Sequence, residues 1–229
     1  MMGYYLIIGL TTLGGWLISS RLKGKFKKYS KIRISSGASG AEIARQMLQH
    51  YNIHDVKVVE GRGFLSDHYN PLKKTIALSP DVYQGRSIAS AAVAAHECGH
   101  AVQHAEAYQM LKVRSALVPA VQASSRLQQF LFIGFIFGSS MAGALGNIFL
   151  LLLVVTFGMA ALFSFITLPV EFDASRRALV WLDDTGTTQG AEYDGAKDAL
   201  WWAAMTYVAS ALSALVMFLY FALQLMGRD

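Results

Sequence analysis

Three uncharged apolar runs divide the chain: Tyr4 to Ser20, Phe130 to Leu168 and Leu200 to Met226. The first is near the lower limit of about 17 residues for a helix that crosses a bilayer. The second is too long for one crossing at about 1.5 Å of rise per residue and suits two, with Gly143, Gly146 and Asn147 marking the hairpin between them. The third carries Trp201, Trp202 and Tyr207 at one end and Tyr220 near the other, where interfacial aromatics belong. The pattern predicts about four transmembrane helices.

Between the first two runs the pattern is that of a folded polar region. Ser39 followed three residues on by Glu42 is a capping signature, and Ile43, Ala44, Met47 and Leu48 recur at helical spacing, so a helix is expected from Gly40 to about Tyr51. Val56 to Glu60 is β-branched and reads as a strand, Gly61-Arg62-Gly63 as a turn, Phe64 to Tyr69 as a second extended piece closed by Asn70-Pro71, and Lys73 to Leu78 as a third strand. An edge strand in this unit would suit an extended peptide, although Asp67 and His68 also fit an ordinary turn. Ser79-Pro80-Asp81 is expected to break the chain. Ser87 caps a helix running to about His104, and a mixed helix follows over Ala107 to Gln129. Past Pro169, Glu171 to Gly195 turns polar and acidic. The expected organisation is an anchor over 1–22, a polar region over 23–129, an apolar hairpin over 130–168, a polar segment over 169–199 and a last apolar helix over 200–229.

Composition agrees with a membrane protein. Of 229 residues, 54% are hydrophobic and 15% charged, and the mean hydropathy is +0.37. Soluble domains lie near 45–50% apolar and about 25% charged. A net charge of +5 and a pI near 9.3 would admit nucleic acid. The distribution excludes it, because Arg21, Lys23, Lys25, Lys27, Lys28, Lys31 and Arg33 directly follow the first apolar run. Such a run is a juxtamembrane anchor and puts that side in the cytoplasm. No charged segment precedes Tyr4 and no small-residue cleavage site follows, so the first run reads as a retained span. Cys98 is the single cysteine, so no internal disulfide forms.

The candidate chemistry lies in His96-Glu97-Cys98-Gly99-His100. Residues i and i+4 share a helix face, so both imidazoles can reach one ion. Glu97 is rotated by about 100° and can address the attacking water as general base. The approach to the motif, from Ile88 through Ala95, is small and apolar, which predicts a buried helix. Three ionisable groups buried there call for a metal, and two neutral imidazoles suit zinc. Cys98 falls on the far side of the helix as a packed residue. The apolar stretch before His96 is bounded by Asp81 and Arg86, too short for a membrane-embedded motif of the site-2 type.

A catalytic zinc takes three protein ligands, and the candidates for the third are His68, His104, Glu106, Glu171 and Asp173. His104 extends the row, but lies about 12 Å from His96 along the axis. Glu106 stands where an elongated motif puts its ligand, but that motif needs glycine at the position of Gln103. His68 remains open. Glu171 follows the second apolar run, and two crossings return the chain to the side of the motif.

The motif with its flanks, Ala95 to Gln103, together with Pro169-Val170-Glu171-Phe172-Asp173-Ala174-Ser175, resembles the YugP-type bacterial membrane zinc metallopeptidases. Asp67-His68-Tyr69-Asn70-Pro71 and Leu78-Ser79-Pro80-Asp81-Val82-Tyr83 resemble that family too. The family is itself similar to gluzincins such as the HtpX-like and prenyl-protein endopeptidases, which carry Glu-x-x-x-Asp on a second helix. The resemblance implies Zn2+ held by His96, His100 and Glu171, with Glu97 catalytic. Ser175 stands where those relatives have aspartate, so Asp173, Ser175 or Asp67 is left to orient a histidine. Tyr69, His68 and Arg176 are candidates for the oxyanion.

The fold expected is a mainly α membrane protein with a zincin-like catalytic unit, the motif helix plus a small β-sheet. The function expected is a multi-pass zinc metalloendopeptidase of the cell membrane. Its site faces the cytoplasm, and its partners are the lipid bilayer and a peptide or protein substrate such as an unfolded membrane protein. The alternative is a non-catalytic membrane scaffold with a structural zinc site.

Overall fold

The computed structural model describes residues 2–63, 66–137 and 144–227. The elements are α1 (Met2–Tyr29), α2 (Gly40–His50), β1 (Lys57–Glu60), β2 (His68–Asn70), β3 (Thr75–Leu78), α3 (Pro80–Tyr83), α4 (Ile88–Ala105), α5 (Gln109–Phe137), α6 (Ala144–Asp184) and α7 (Ala191–Met226). The protein is mainly helical with one small sheet. The chain forms two compact units.

One unit comprises Met1–Leu17, Val113–Leu168 and Thr206–Asp229. Its core is Tyr4, Leu131, Leu150, Leu153, Phe157, Met217 and Phe221, with Phe157 stacked on Phe221 at 5.3 Å between ring centroids. Leu6, Leu10, Trp16, Leu151 and Val155 are exposed, as on helices whose solvent is hydrocarbon. Among the described residues three helices are long and apolar enough to cross a membrane: Gly3–Tyr29, Gly146–Asp184 and Ala191–Met226. The fourth span expected over Phe130 onward runs into residues 138–143, outside the described residues, as does the hairpin marker Gly143. Gly146 and Asn147, expected in that hairpin, instead lie in the first turn of α6.

The other unit comprises Ile18–Lys112 and Pro169–Met205. Its core gathers Ile43 and Met47 of α2, Ile76 and Leu78 of β3, Val82 of α3 and the alanine face of α4. The capping box forms: Ser39 Oγ accepts from Glu42 N, and Glu42 accepts from Ser39 N at 2.6 Å. Small side chains at Ala91, Ala92, Ala94 and Ala95, all fully buried, let α4 pack closely on its neighbours. The sheet order is β1-β3-β2, with β1 parallel and β2 antiparallel to β3. The second extended piece is shorter than expected. Phe64 and Leu65 are outside the described residues, and the strand is β2, ended by Asn70 Oδ1 accepting from Leu72 N and Lys73 N.

Two expectations are corrected. Ser79-Pro80-Asp81 does not merely break the chain, because Pro80 opens the short helix α3, its fixed φ suiting a first helical turn. Nor does the apolar helix end at Pro169. An interior proline costs roughly 3 kcal/mol, yet α6 continues to Asp184. Val170, Ala174, Ala178, Trp181 and Leu182, at helical spacing, are all buried. That burial offsets the lost hydrogen bond, at about 1.5–3 kcal/mol for each large side chain. Most of the expected polar segment is therefore helix.

Candidate metal centre

Helix α4 starts at Ser87, whose hydroxyl accepts from Ser90 N at 3.2 Å, and runs through the motif. His96 and His100 project from one face with ring centroids 4.8 Å apart. Glu171 of α6 reaches between them. Its Oε2 lies 3.4 Å from His96 Nε2 and 3.5 Å from His100 Nε2, and its side chain is almost wholly buried. One donor atom from each of the three lies within 4.8 Å of the others.

A glycine permits this approach. A Cβ on Gly99 would stand 2.5 Å from the backbone oxygen of Ala174, one turn beyond Glu171 on α6. Only hydrogen fits there, so the glycine between the motif residues sets the separation of the two helices. Cys98 faces away as expected. It is fully buried, its thiol donates to Ala44 O of α2, and burial pushes its pKa well above the usual thiol value.

Each imidazole is held from behind. Ser175 Oγ lies 3.1 Å from His96 Nδ1. Gln103 Oε1 lies 3.1 Å from His100 Nδ1, while Gln103 Nε2 donates to Val170 O at 2.8 Å and Asp173 Oδ2 at 2.9 Å. With its amide nitrogen spent on two acceptors, Gln103 presents oxygen to the imidazole. His100 therefore carries a proton on Nδ1, and its Nε2 faces Glu171. Asp173 also accepts from Arg176 and, at 2.5 Å, from Arg177 Nε; Arg177 Nη1 pairs with Glu106 at 2.6 Å. Burial pulls the His100 pKa down, but the hydrogen bond and charge of Glu171, helped by Glu97 and Gln103, outweigh it and leave the pKa raised.

The other expected residues fall as follows. Glu97 is nearly buried, and among the described residues no protein group hydrogen-bonds its carboxylate. Asp173 and Ser175 lie behind the histidines, and Arg176 is an exposed partner of Asp173. Asp67 is not in the cluster. It binds Ser79 N at 2.7 Å and Ser79 Oγ at 3.0 Å, fixing the turn after β3. His68 Nδ1 bonds Ser66 O, away from the donors. Tyr69 of edge strand β2 bonds His104 Nδ1 at 2.7 Å, with burial and the Asp55 charge raising its pKa to about 12. Of the alternative ligands, Glu106 is taken by Arg177 and His104 by Tyr69. Sequence reasoning missed Gln103 and Arg177. A glutamine three residues after His100 falls on the same helix face, and that spacing was the available signal.

Two imidazole nitrogens and one carboxylate oxygen are the donor set of a catalytic zinc. Tetrahedral donors at about 2.0–2.1 Å from an ion stand about 3.3–3.4 Å apart, and the observed separations of 3.4 and 3.5 Å match. The three side chains fit zinc.

The family described as "Putative neutral zinc metallopeptidase" matches residues 4–226. The protein named "Putative membrane protease YugP" from Bacillus subtilis (strain 168) is 40% identical over 231 residues, covering 100% of this chain and 99% of that protein. No solved structure matches.

Proposed function

As a member of the family described as "Putative neutral zinc metallopeptidase", the chain is one for which we propose a membrane-bound zinc endopeptidase, with His96, His100 and Glu171 as metal ligands and Glu97 as general base. The observation that carries this reading is the convergence of three donor atoms beside a carboxylate with no protein partner among the described residues. When bound there, zinc would polarise the scissile carbonyl and acidify the attacking water. Glu97 takes a proton from that water and delivers it to the leaving amine. Gln103 and Ser175 hold the imidazoles in place. Gly99 keeps α6, and with it Glu171, close to α4.

The substrate class proposed is an extended or unfolded polypeptide, including damaged membrane proteins, beside edge strand β2. The basic end of α1 and the positive-inside bias support a site on the cytoplasmic side of a multi-pass chain. The test is cleavage of an unfolded polypeptide such as casein by the purified, zinc-loaded chain beside its Glu97→Gln variant. Cleavage by the first and none by the second, with equal zinc in both, is the result expected. Zinc bound in both with no cleavage by either would overturn the peptidase reading in favour of a structural site.

A further inference from the structure

Four lysines line the end of α1, and two of them are engaged. Lys25 Nζ pairs with Asp198 at 2.7 Å, and Lys28 Nζ lies 4.9 Å from the centre of the Tyr29 ring. Lys23 and Lys27, four residues apart on one face, instead line a cleft of about 570 Å³ that Asp81 and Ser87 close from the other side. Among the described residues neither ammonium has an ion pair or hydrogen bond. Buried Phe26 forms its floor.

We infer that this cleft binds the headgroup of an anionic phosphodiester lipid, of the phosphatidylglycerol type. The phosphate lies between Lys23 Nζ and Lys27 Nζ, and the headgroup hydroxyls donate to Asp81. Position is the first argument. The apolar run of α1 ends at Ser20, so Lys23 and Lys27 follow it by about 5 and 10 Å of helical rise. The headgroup layer extends roughly 5–8 Å beyond the hydrocarbon on each side, within reach of two flexible side chains. Charge is the second. Two ammonium groups and one carboxylate leave one net positive charge, the complement of a phosphodiester. A phosphomonoester, at about −1.5 to −2 near pH 7, would meet Asp81 with excess charge. Asp81 in turn accepts hydrogen bonds from the hydroxyls of such a headgroup, which the quaternary ammonium of a choline cannot donate. Ser87 caps α4, so the headgroup would touch the helix that carries His96 and His100 without touching either histidine.

The test is lipid titration of the full-length chain in detergent, read by native mass spectrometry. The probes are phosphatidylglycerol, phosphatidylcholine and sn-glycerol 3-phosphate. A lysine held against an anionic headgroup contributes about fivefold to its binding, so Lys23→Gln with Lys27→Gln is expected to weaken phosphatidylglycerol binding roughly 30-fold. The control is Lys31→Gln with Arg33→Gln, an equal charge change on exposed residues outside the cleft, expected to cost less than threefold. Unchanged melting temperatures in both doubles exclude misfolding. Equal losses in the two doubles would overturn the site in favour of diffuse attraction. Displacement of the lipid by glycerol 3-phosphate at equal concentration would reassign the cleft to a soluble phosphate and overturn the lipid reading. The readout is binding alone, so it stands or falls apart from the peptidase proposal.

Discussion

Gln103 Oε1 lies 3.1 Å from His100 Nδ1, and the same amide ties His100 to Asp173 through Nε2. In related enzymes a carboxylate commonly sits directly behind a metal-bound histidine. Here the carboxylate acts at one remove, with a neutral amide between it and the imidazole. Gln103 is fully buried, so its three contacts fix its orientation without competition from solvent. The arrangement selects one tautomer of His100, the one that offers Nε2 to a metal. Replacing Gln103 with leucine keeps the side-chain volume near but frees Nδ1 and leaves Asp173 short of a donor. Loss of an outer partner typically lowers metal affinity 10–100-fold. Chelator competition with zinc should show a fall of that size in Gln103→Leu, with Gln103→Asn recovering little because it is one methylene too short. Unchanged affinity in Gln103→Leu would remove the orienting role.

Gly99 makes a second, purely steric prediction. A Cβ at this position would stand 2.5 Å from the Ala174 carbonyl oxygen, and that neighbour is backbone that cannot rotate away. Gly99→Ala should force α4 and α6 apart and cost about 1–3 kcal/mol, the usual range for overpacking. The same shift would carry Glu171 away from the histidines. The expected outcome is a lower melting temperature together with weaker zinc binding. Cys98→Ala, next to it on the opposite face, should lower stability slightly and leave zinc affinity alone.

Much of this was legible in the sequence, for identifiable reasons. The capping signature at Ser39 and Glu42, the strand read over Lys73–Leu78 and the alanine-rich approach to His96 are local patterns, and local physics decided them. The i, i+4 spacing of His96 and His100 required only a helix. Glu171, which offers a donor atom within 4.8 Å of those of both histidines, was reachable from motif resemblance. Three features needed tertiary information. The continuation of α6 through Pro169 depends on what Val170, Ala174 and Ala178 pack against. The role of Gln103 depends on a carboxylate 70 residues away in sequence. Asp67, a candidate for the site, was drawn instead to Ser79 by the turn after β3. Each is settled by a contact between segments that no window of sequence contains.

The capping box of α2 carries a pH dependence. Glu42 accepts from Ser39 N, and this backbone hydrogen bond, with the Ser39 hydroxyl and Arg86, lowers its pKa below the ordinary glutamate value. A carboxyl whose folded pKa is depressed stabilises the fold above its unfolded pKa, near 4.3. It loses that contribution as pH falls through the lower folded value. The α2 helix should therefore loosen below about pH 4. Ser39→Ala removes the acceptor for Glu42 N and should cost about 1 kcal/mol at neutral pH. Glu42→Gln should be less stable than the parent at pH 7, and the difference should shrink as the pH falls from about 4 towards 3. Thermal melts at the two pH values check both, and a constant difference across them would show that the Glu42 charge contributes nothing.

Glu171 offers the most direct test of the metal reading. Its carboxylate is about 1% exposed and stands between two imidazoles. A buried charge so placed is costly unless cations neutralise it. With a divalent ion bound, the two histidines stay neutral and the ion supplies the countercharge. A ligand that binds only the folded state stabilises it by about 2.7 kcal/mol at 100 times its dissociation constant. For a chain of this length that is a rise of roughly 5–10 °C in melting temperature, and zinc should produce it in the parent protein. Glu171→Gln preserves shape and removes the charge. It should melt close to the metal-free parent or below it, because the contacts of the carboxylate with both imidazoles are gone, and zinc should raise its melting temperature little or not at all. Glu97→Gln leaves all three donors intact and should keep the full zinc-dependent rise. The pair of variants separates the residue that holds the metal from the residue that uses it: an equal rise in Glu171→Gln and the parent would exclude Glu171 as a ligand, and a lost rise in Glu97→Gln would place that carboxylate on the metal.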